Sequence, residues 1–208
     1  QMISDFISLD VEQDIKKIIF YLYEKRSILF IGGPGTGKTH GIAAAIEVLL
    51  SNGFHIPILI QARNVDVSWK WKDIIVSALG LSNSWSDDEI WNALLSAAYR
   101  IRIKTCSNIL MPKVLIAVDG IDESIPYDVW HNRIKEANVI SERYNNIRFI
   151  FTSRPNAFQS ESDYVRIFNT SSLGDTSVYK LFDKYIEYYN KDRITVKLKG
   201  LSPVNYRL

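Results

Sequence analysis

The segment Gly32-Gly-Pro-Gly-Thr-Gly-Lys-Thr39 constrains this 208-residue chain more than any other. It satisfies G-x-x-x-x-G-K-[ST] at every fixed position. Phosphate oxygens need several donors at once in a concave arrangement, and backbone N–H groups supply them only where the chain wraps tightly. Gly32, Gly33, Gly35 and Gly37 allow that wrap, because they lack a Cβ and reach positive φ. Pro34 and Thr36 complete the loop. The loop opens onto a helix N-terminus, whose free N–H groups and dipole favour an anion. Lys38 adds a cation able to reach the β- and γ-phosphates, and the Thr39 hydroxyl can ligate Mg²⁺. His40 follows directly and is read as lining the nucleotide pocket. A chance match arises in on the order of one chain per hundred at ordinary glycine content. The apolar strand before the loop and the helix after it make coincidence rarer still.

The rest of the chain alternates strands and helices. Apolar runs at 27–31, 56–60, 114–118 and 147–152 read as buried strands, and 194–198 as a last one. Apolar residues at helical spacing predict helices over 10–25, 38–50, 69–79, 87–100, 130–144 and 176–189. Ser86-Asp-Asp-Glu89 has the form of a capping box at the start of the helix over 87–100. This alternation predicts an α/β fold of three layers, a mostly parallel central sheet with helices on both faces.

Two strand ends carry further chemistry. Val114–Val118 runs into Asp119-Gly-Ile-Asp-Glu123, an apolar strand that delivers an aspartate at its C-terminal edge, where open α/β sheets bind ligands. Asp119 is read as the Mg²⁺ ligand, with Thr39. Glu123 is the first choice for the residue that activates water and Asp122 the second. Phe149-Ile-Phe-Thr-Ser-Arg-Pro155 ends a strand in Thr152, Ser153 and Arg154. An arginine there can distinguish ATP from ADP by charge and bidentate geometry; the competing reading is a surface arginine before a turn-forming proline. Ser68-Trp-Lys-Trp-Lys72 interleaves aromatics and cations. It reads first as an amphipathic helix start packing tryptophan inward, and second as a stacking platform for single strands.

Composition limits the rest. Lys and Arg total 25 against 23 Asp and Glu, so there is no large basic field and nucleic acid is not expected as a partner of this domain. The single cysteine, Cys106, excludes an internal disulfide and fits a reducing, cytoplasmic setting. No apolar run is long enough for a membrane span. His55 and His131 have no partners at metal-ligand spacing. Position 1 is Gln, so the chain is read as a fragment of a longer multidomain protein, with 1–208 as a single domain.

Together, Gly32–Thr39, Asp119-Gly-Ile-Asp-Glu123 and Thr152-Ser-Arg-Pro155 resemble the STAND class of P-loop NTPases, and its NACHT branch in particular. In that branch the Mg²⁺-binding Asp is followed by a small residue and then two acidic residues two places on, as Asp119, Gly120, Asp122 and Glu123 are here. A motor of the general AAA+ kind more often has the Glu directly after the Asp. The resemblance covers about residues 5–160. It implies an ASCE-type sheet with the 147–152 strand between the other two site strands. It also implies an ATP/ADP switch with Mg²⁺, slow hydrolysis, homo-oligomerisation on activation, and a trigger and effector elsewhere in the full chain. Innate or antiviral defence is the setting it suggests. The family's Gly-Arg pair ahead of the first core helix is absent, which leaves Phe6 and Ile7 as positional choices for adenine contacts. Residues 175–208 are read as the start of a helical lid, with Gly200-Leu-Ser-Pro203 either beginning it or forming a turn.

The leading reading is therefore an ATP-hydrolysing signalling switch. The alternative is an AAA+-like motor or loader ATPase acting on nucleic acid or protein, and a third is a scaffold that binds nucleotide without hydrolysis.

Overall fold

The computed structural model describes residues 27–51, 55–82, 84–105, 113–126, 128–155 and 165–169, some by backbone alone. All lie in one compact unit, Gln13–Ser172. The elements are β1 (Ser27–Ile31), α1 (Lys38–Ser51), β2 (Ile56–Gln61), α2 (Trp71–Ala78) and α3 (Asp87–Thr105). They are followed by β3 (Val114–Asp119), α4 (Val129–Arg143), β4 (Ile147–Ser153) and β5 (Val165–Asn169). Single turns of 3-10 helix occupy Ala62–Asn64 and Ile121–Glu123.

The sheet has the order β2-β3-β4-β1-β5, and every pairing is parallel. Central strands β1, β3 and β4 are near-continuous apolar runs because both of their faces are covered. Alternation sorts their side chains. Leu29, Ile31, Val114, Ile116, Val118, Ile147, Phe149 and Phe151 pack with apolar residues of α2, α3 and α4. Ile28, Phe30, Leu115, Ala117 and Ile150 pack against Ile42, Ala45 and Leu49 of α1. The result is the expected three-layer α/β fold, with β4 between β3 and β1.

This alternation also places the polar strand ends. Asp119 has the parity of Leu115 and Ala117, and Thr152 that of Ile150, so both belong to the α1 face. Val118 pairs with Phe151 in the β3–β4 ladder, which sets Asp119 and Thr152 at the next level.

Several boundaries differ from those expected. The helix anticipated from Trp69 begins at Trp71. Asp66 Oδ1 accepts from the N–H and hydroxyl of Ser68 at 2.8 and 2.7 Å, which holds a turn ahead of it. Asp73 then accepts the Lys70 N–H at 3.0 Å at the helix start. The helix anticipated over 87–100 runs on to Thr105. Its capping box is formed: Ser86 N–H donates to Glu89 Oε2 at 2.8 Å, and Glu89 N–H to Ser86 Oγ at 3.4 Å. Strand β5 was not anticipated, because Arg166 breaks a run only five residues long. The helices expected at 10–25 and 176–189, the strand at 194–198, the lid start at 175–208, and Phe6, Ile7 and Cys106 lie outside the described residues.

The tryptophans of the Ser68–Lys72 segment pack inward. Trp71 is 3% exposed, and its ring lies 4.7 Å from that of Phe149 and 6.2 Å from that of Trp130. Its Nε1–H donates to the Arg133 carbonyl at 2.9 Å. Arg133 in turn fixes the incoming loop, with Nη2 donating to the carbonyls of Asp66, Val67 and Trp69 at 2.9, 3.1 and 3.0 Å. A ring so enclosed cannot stack on a base, which removes the single-strand platform reading for Trp71. Trp71→Ala is expected to lower unfolding free energy by about 3–5 kcal/mol. Lys72→Ala, at a half-buried surface ion pair, should change it by less than about 1 kcal/mol. Urea denaturation of both variants checks this.

Candidate phosphate and metal site

The site forms where β1, β3 and β4 end and α1 begins. After β1, Gly32 N–H donates to Ser153 O at 3.2 Å, so the loop starts tied to the end of β4. Gly35 and Gly37 then turn through φ of 74° and 83°, a region that side chains with a Cβ rarely enter. Thr36 folds back on Gly33, its Oγ1 donating to the Gly33 carbonyl at 3.0 Å. Gly41 N–H reaches Gly37 O at 2.7 Å, so the helix is engaged immediately after the loop. The first-turn N–H groups of α1 have no preceding helical carbonyl, and together with the dipole they favour an anion here.

Lys38 lies across this loop. Its Nζ donates to the carbonyls of Gly32 and Gly33 at 2.6 and 2.9 Å. Burial pulls its proton affinity below that of an ordinary lysine. Asp122, Asp119 and Glu123 oppose that shift, and Arg154 adds to it. All four charged candidates therefore act on the loop lysine.

Asp119 is held from two sides. Thr39 Oγ1 donates to its Oδ2 at 2.8 Å, and Thr152 Oγ1 donates to its Oδ1 at 2.5 Å. Thr152 also accepts the Gly120 N–H at 2.7 Å. One hydroxyl thus fixes both the carboxylate and the peptide that follows it. The Asp119 carboxylate and the Thr39 hydroxyl are hard oxygen donors of the kind Mg²⁺ takes when water and phosphate complete its shell. This donor set fits the metal. No group of three or more His, Cys, Asp or Glu side chains among the described residues forms a metal cage.

Gly120 sits at φ 70°, ψ 50°, and starts the 3-10 turn of Ile121–Glu123. The turn closes with Glu123 N–H on Gly120 O at 2.8 Å. It carries Glu123 back over Gly120: a Cβ at position 120 would meet Glu123 Cδ at 3.1 Å and Oε2 at 3.3 Å. The glutamate carboxyl therefore occupies the space beside the residue that directly follows Asp119. Asp122 faces the other way, toward β4. Its Oδ1 accepts the Arg154 N–H at 3.0 Å, and its Oδ2 lies 3.2 Å from Arg154 Nε.

The structure thus gathers Gly32–Thr39, Asp119, Asp122, Glu123 and Arg154 at one sheet edge. Pro34 and His40 are exposed at its rim, His40 in the first turn of α1. Thr152 is the residue to which sequence reasoning gave no role. Strand parity with Asp119 was the available signal.

The fold matches solved structures of Cdc6 and ORC proteins. Among them are Drosophila ORC bound to DNA (TM-score 0.60, 15% identity, 86% of this chain and 46% of that one) and Cdc6p from Pyrobaculum aerophilum (0.54, 14%, 85% and 49%). A third is Aeropyrum pernix ORC1 in complex with DNA (0.53, 16%, 87% and 50%). At such identities the likeness is one of fold: the chain shares with these structures a three-layer α/β arrangement around a parallel sheet. It spans about half the length of these solved chains. Residues 176–208 match the integrase core domain. An uncharacterized transposase-like protein of Haemophilus influenzae is 42% identical over 64 residues, 31% of this chain and 26% of that protein.

Thr152→Val removes both bonds of the bridging hydroxyl with little change of volume. It is expected to raise the Mg²⁺ concentration needed for half-maximal binding of a fluorescent ATP analogue by roughly tenfold. An unchanged Mg²⁺ requirement would show that Thr152 does not position Asp119.

Proposed function

We propose that this chain binds ATP with Mg²⁺ at the Gly32–Thr39 edge, hydrolyses it, and uses nucleotide state to control assembly on DNA, as a loader-type ATPase. The observation that carries the nucleotide reading is the convergence of Lys38, Thr39, Asp119 and Thr152 at a helix N-terminus. On this reading Lys38 leaves the Gly32 and Gly33 carbonyls for the phosphates. Thr39 and Asp119 would hold Mg²⁺, which when bound would supply neutralisation of charge on the phosphate oxygens. Glu123 orients or deprotonates water, and Arg154 meets the γ-phosphate.

The loader reading is supported by the fold shared with ORC and Cdc6 structures, two of which were solved with DNA, and by the integrase-core match at 176–208. It reverses the expectation that nucleic acid is not a partner. That expectation rested on balanced charge, which argues against a broad basic field. A few cations repeated around an oligomer still suffice to hold a phosphate backbone. No described helix is long and apolar enough to cross a membrane.

A second reading, the STAND-type signalling switch, is favoured by one observation. Gly120 at positive φ with Glu123 folded over it reproduces the spacing of the NACHT acidic motif. Both readings require ATP-dependent homo-oligomerisation; they differ in what the assembly engages.

Light scattering and ATP turnover of the full-length protein, with and without DNA, separate them. Assembly with ATP–Mg²⁺ and turnover raised by DNA are expected. A monomer that copurifies with ADP and turns over independently of DNA contradicts the loader reading and favours the switch. In either case Glu123→Gln should slow hydrolysis by roughly 10²-fold or more while sparing ATP binding.

A further inference from the structure

Asp122 and Glu123 are adjacent carboxylates, yet the fold gives them different surroundings. The Glu123 side chain is exposed and lies against Gly120, with no hydrogen bond to a described residue. Asp122 is nearly enclosed, its side chain 13% exposed, and both of its oxygens are engaged by one residue. Accepting a proton from water would mean giving up a bond to Arg154. Asp122 is therefore built to hold a cation.

What it holds is specific. The Arg154 main-chain N–H and side-chain Nε meet the two oxygens of one carboxylate. This fixes the arginine at its root and at the near end of its guanidinium. The Nη groups make no bond to any described residue, and the side chain is 52% exposed. A guanidinium anchored through Nε keeps its outer fork for a second planar or tetrahedral oxyanion, with less rotamer freedom left to lose. Asp122 and Arg154 also head the charges that act on Lys38, so the pair lies beside the phosphate loop.

We infer that Asp122 is a positioning residue: it orients Arg154 so that the site distinguishes a nucleoside triphosphate from a diphosphate. This rests on the nucleotide-site reading above. It departs from the sequence expectation, in which Asp122 was the second candidate for the base. It also has a sign that sets it apart from a latch. If Asp122 merely restrained Arg154 away from nucleotide, removing its charge would tighten triphosphate binding. As a positioning residue, its loss weakens it.

The test is calorimetric titration of the full chain with ATPγS–Mg²⁺ and ADP–Mg²⁺, using wild type, Asp122→Asn, Asp122→Ala, Arg154→Ala, the Asp122→Ala/Arg154→Ala double variant and Lys38→Ala. Both Asp122 variants should lower the preference for ATPγS over ADP by roughly tenfold, the scale of a charge-assisted hydrogen bond. ADP affinity, which reports that the variants are folded, should change by less than about twofold, since ADP lacks the group that Arg154 reads. The double variant should lose no more preference than Arg154→Ala alone. An unchanged or increased ATPγS preference in both Asp122 variants overturns the inference, as does an unchanged preference with single-turnover hydrolysis abolished. Failure of the underlying site reading looks different: wild type and Lys38→Ala would then bind ATPγS alike.

Discussion

The Asp119 carboxylate is clamped between two hydroxyls, Thr39 at the start of α1 and Thr152 at the end of β4. The rest of the site depends on that clamp. It joins the phosphate loop, the acidic strand end and the arginine-bearing strand end through one group. It is available because parallel strands of similar length end at the same edge, and because alternation turns Asp119 and Thr152 toward the face that α1 covers. The apolar layers beneath it are tightly enclosed, with Val118 and Phe151 fully buried one residue earlier. Rigid strands deliver polar ends, and the loop chemistry is built on them.

The turn after Asp119 gives two adjacent acidic residues different surroundings. Gly120 in the left-handed region sends the chain into a single 3-10 turn, which returns Glu123 above Gly120 and sends Asp122 to Arg154. A residue with a Cβ at position 120 would be strained there and would crowd the Glu123 carboxyl at 3.1 Å. The spacing Asp-Gly-x-Asp-Glu therefore has a mechanical meaning. The glutamate folds back over Gly120, the residue after Asp119, and the aspartate meets Arg154 just past the end of β4.

Much of this was legible in the sequence, for physical reasons. The phosphate loop is legible because its glycines answer a local backbone demand. The central strands β1, β3 and β4 are legible because strands buried on both faces must be continuous apolar runs, and the capping box of α3 because its two bonds span three residues. What was not legible depends on pairing across the fold. Strand β5 carries Arg166 in a short run and becomes a strand by lying against β1. Trp69 was assigned to a helix, but a local Asp66–Ser68 turn claims the backbone first. The role of Thr152 and the partner of Asp122 need the β3–β4 register, which spacing alone does not supply. The resemblance to NACHT modules came from Gly32–Thr39, Asp119-Gly-Ile-Asp-Glu123 and Thr152-Ser-Arg-Pro155 taken together, whereas the fold likeness runs to ORC and Cdc6 structures.

The central claim is that Thr39 and Asp119 hold Mg²⁺ against a triphosphate wrapped by Gly32–Thr39. The most direct measurement is a crystal structure of the full-length protein with a non-hydrolysable ATP analogue and Mg²⁺. The account predicts the Thr39 hydroxyl among the ligands of the metal, with Asp119 bound directly or through one water. It also predicts that Lys38 Nζ has moved from the Gly32 and Gly33 carbonyls to the phosphates. Nucleotide bound elsewhere, or a metal held without Thr39 and Asp119, would contradict it.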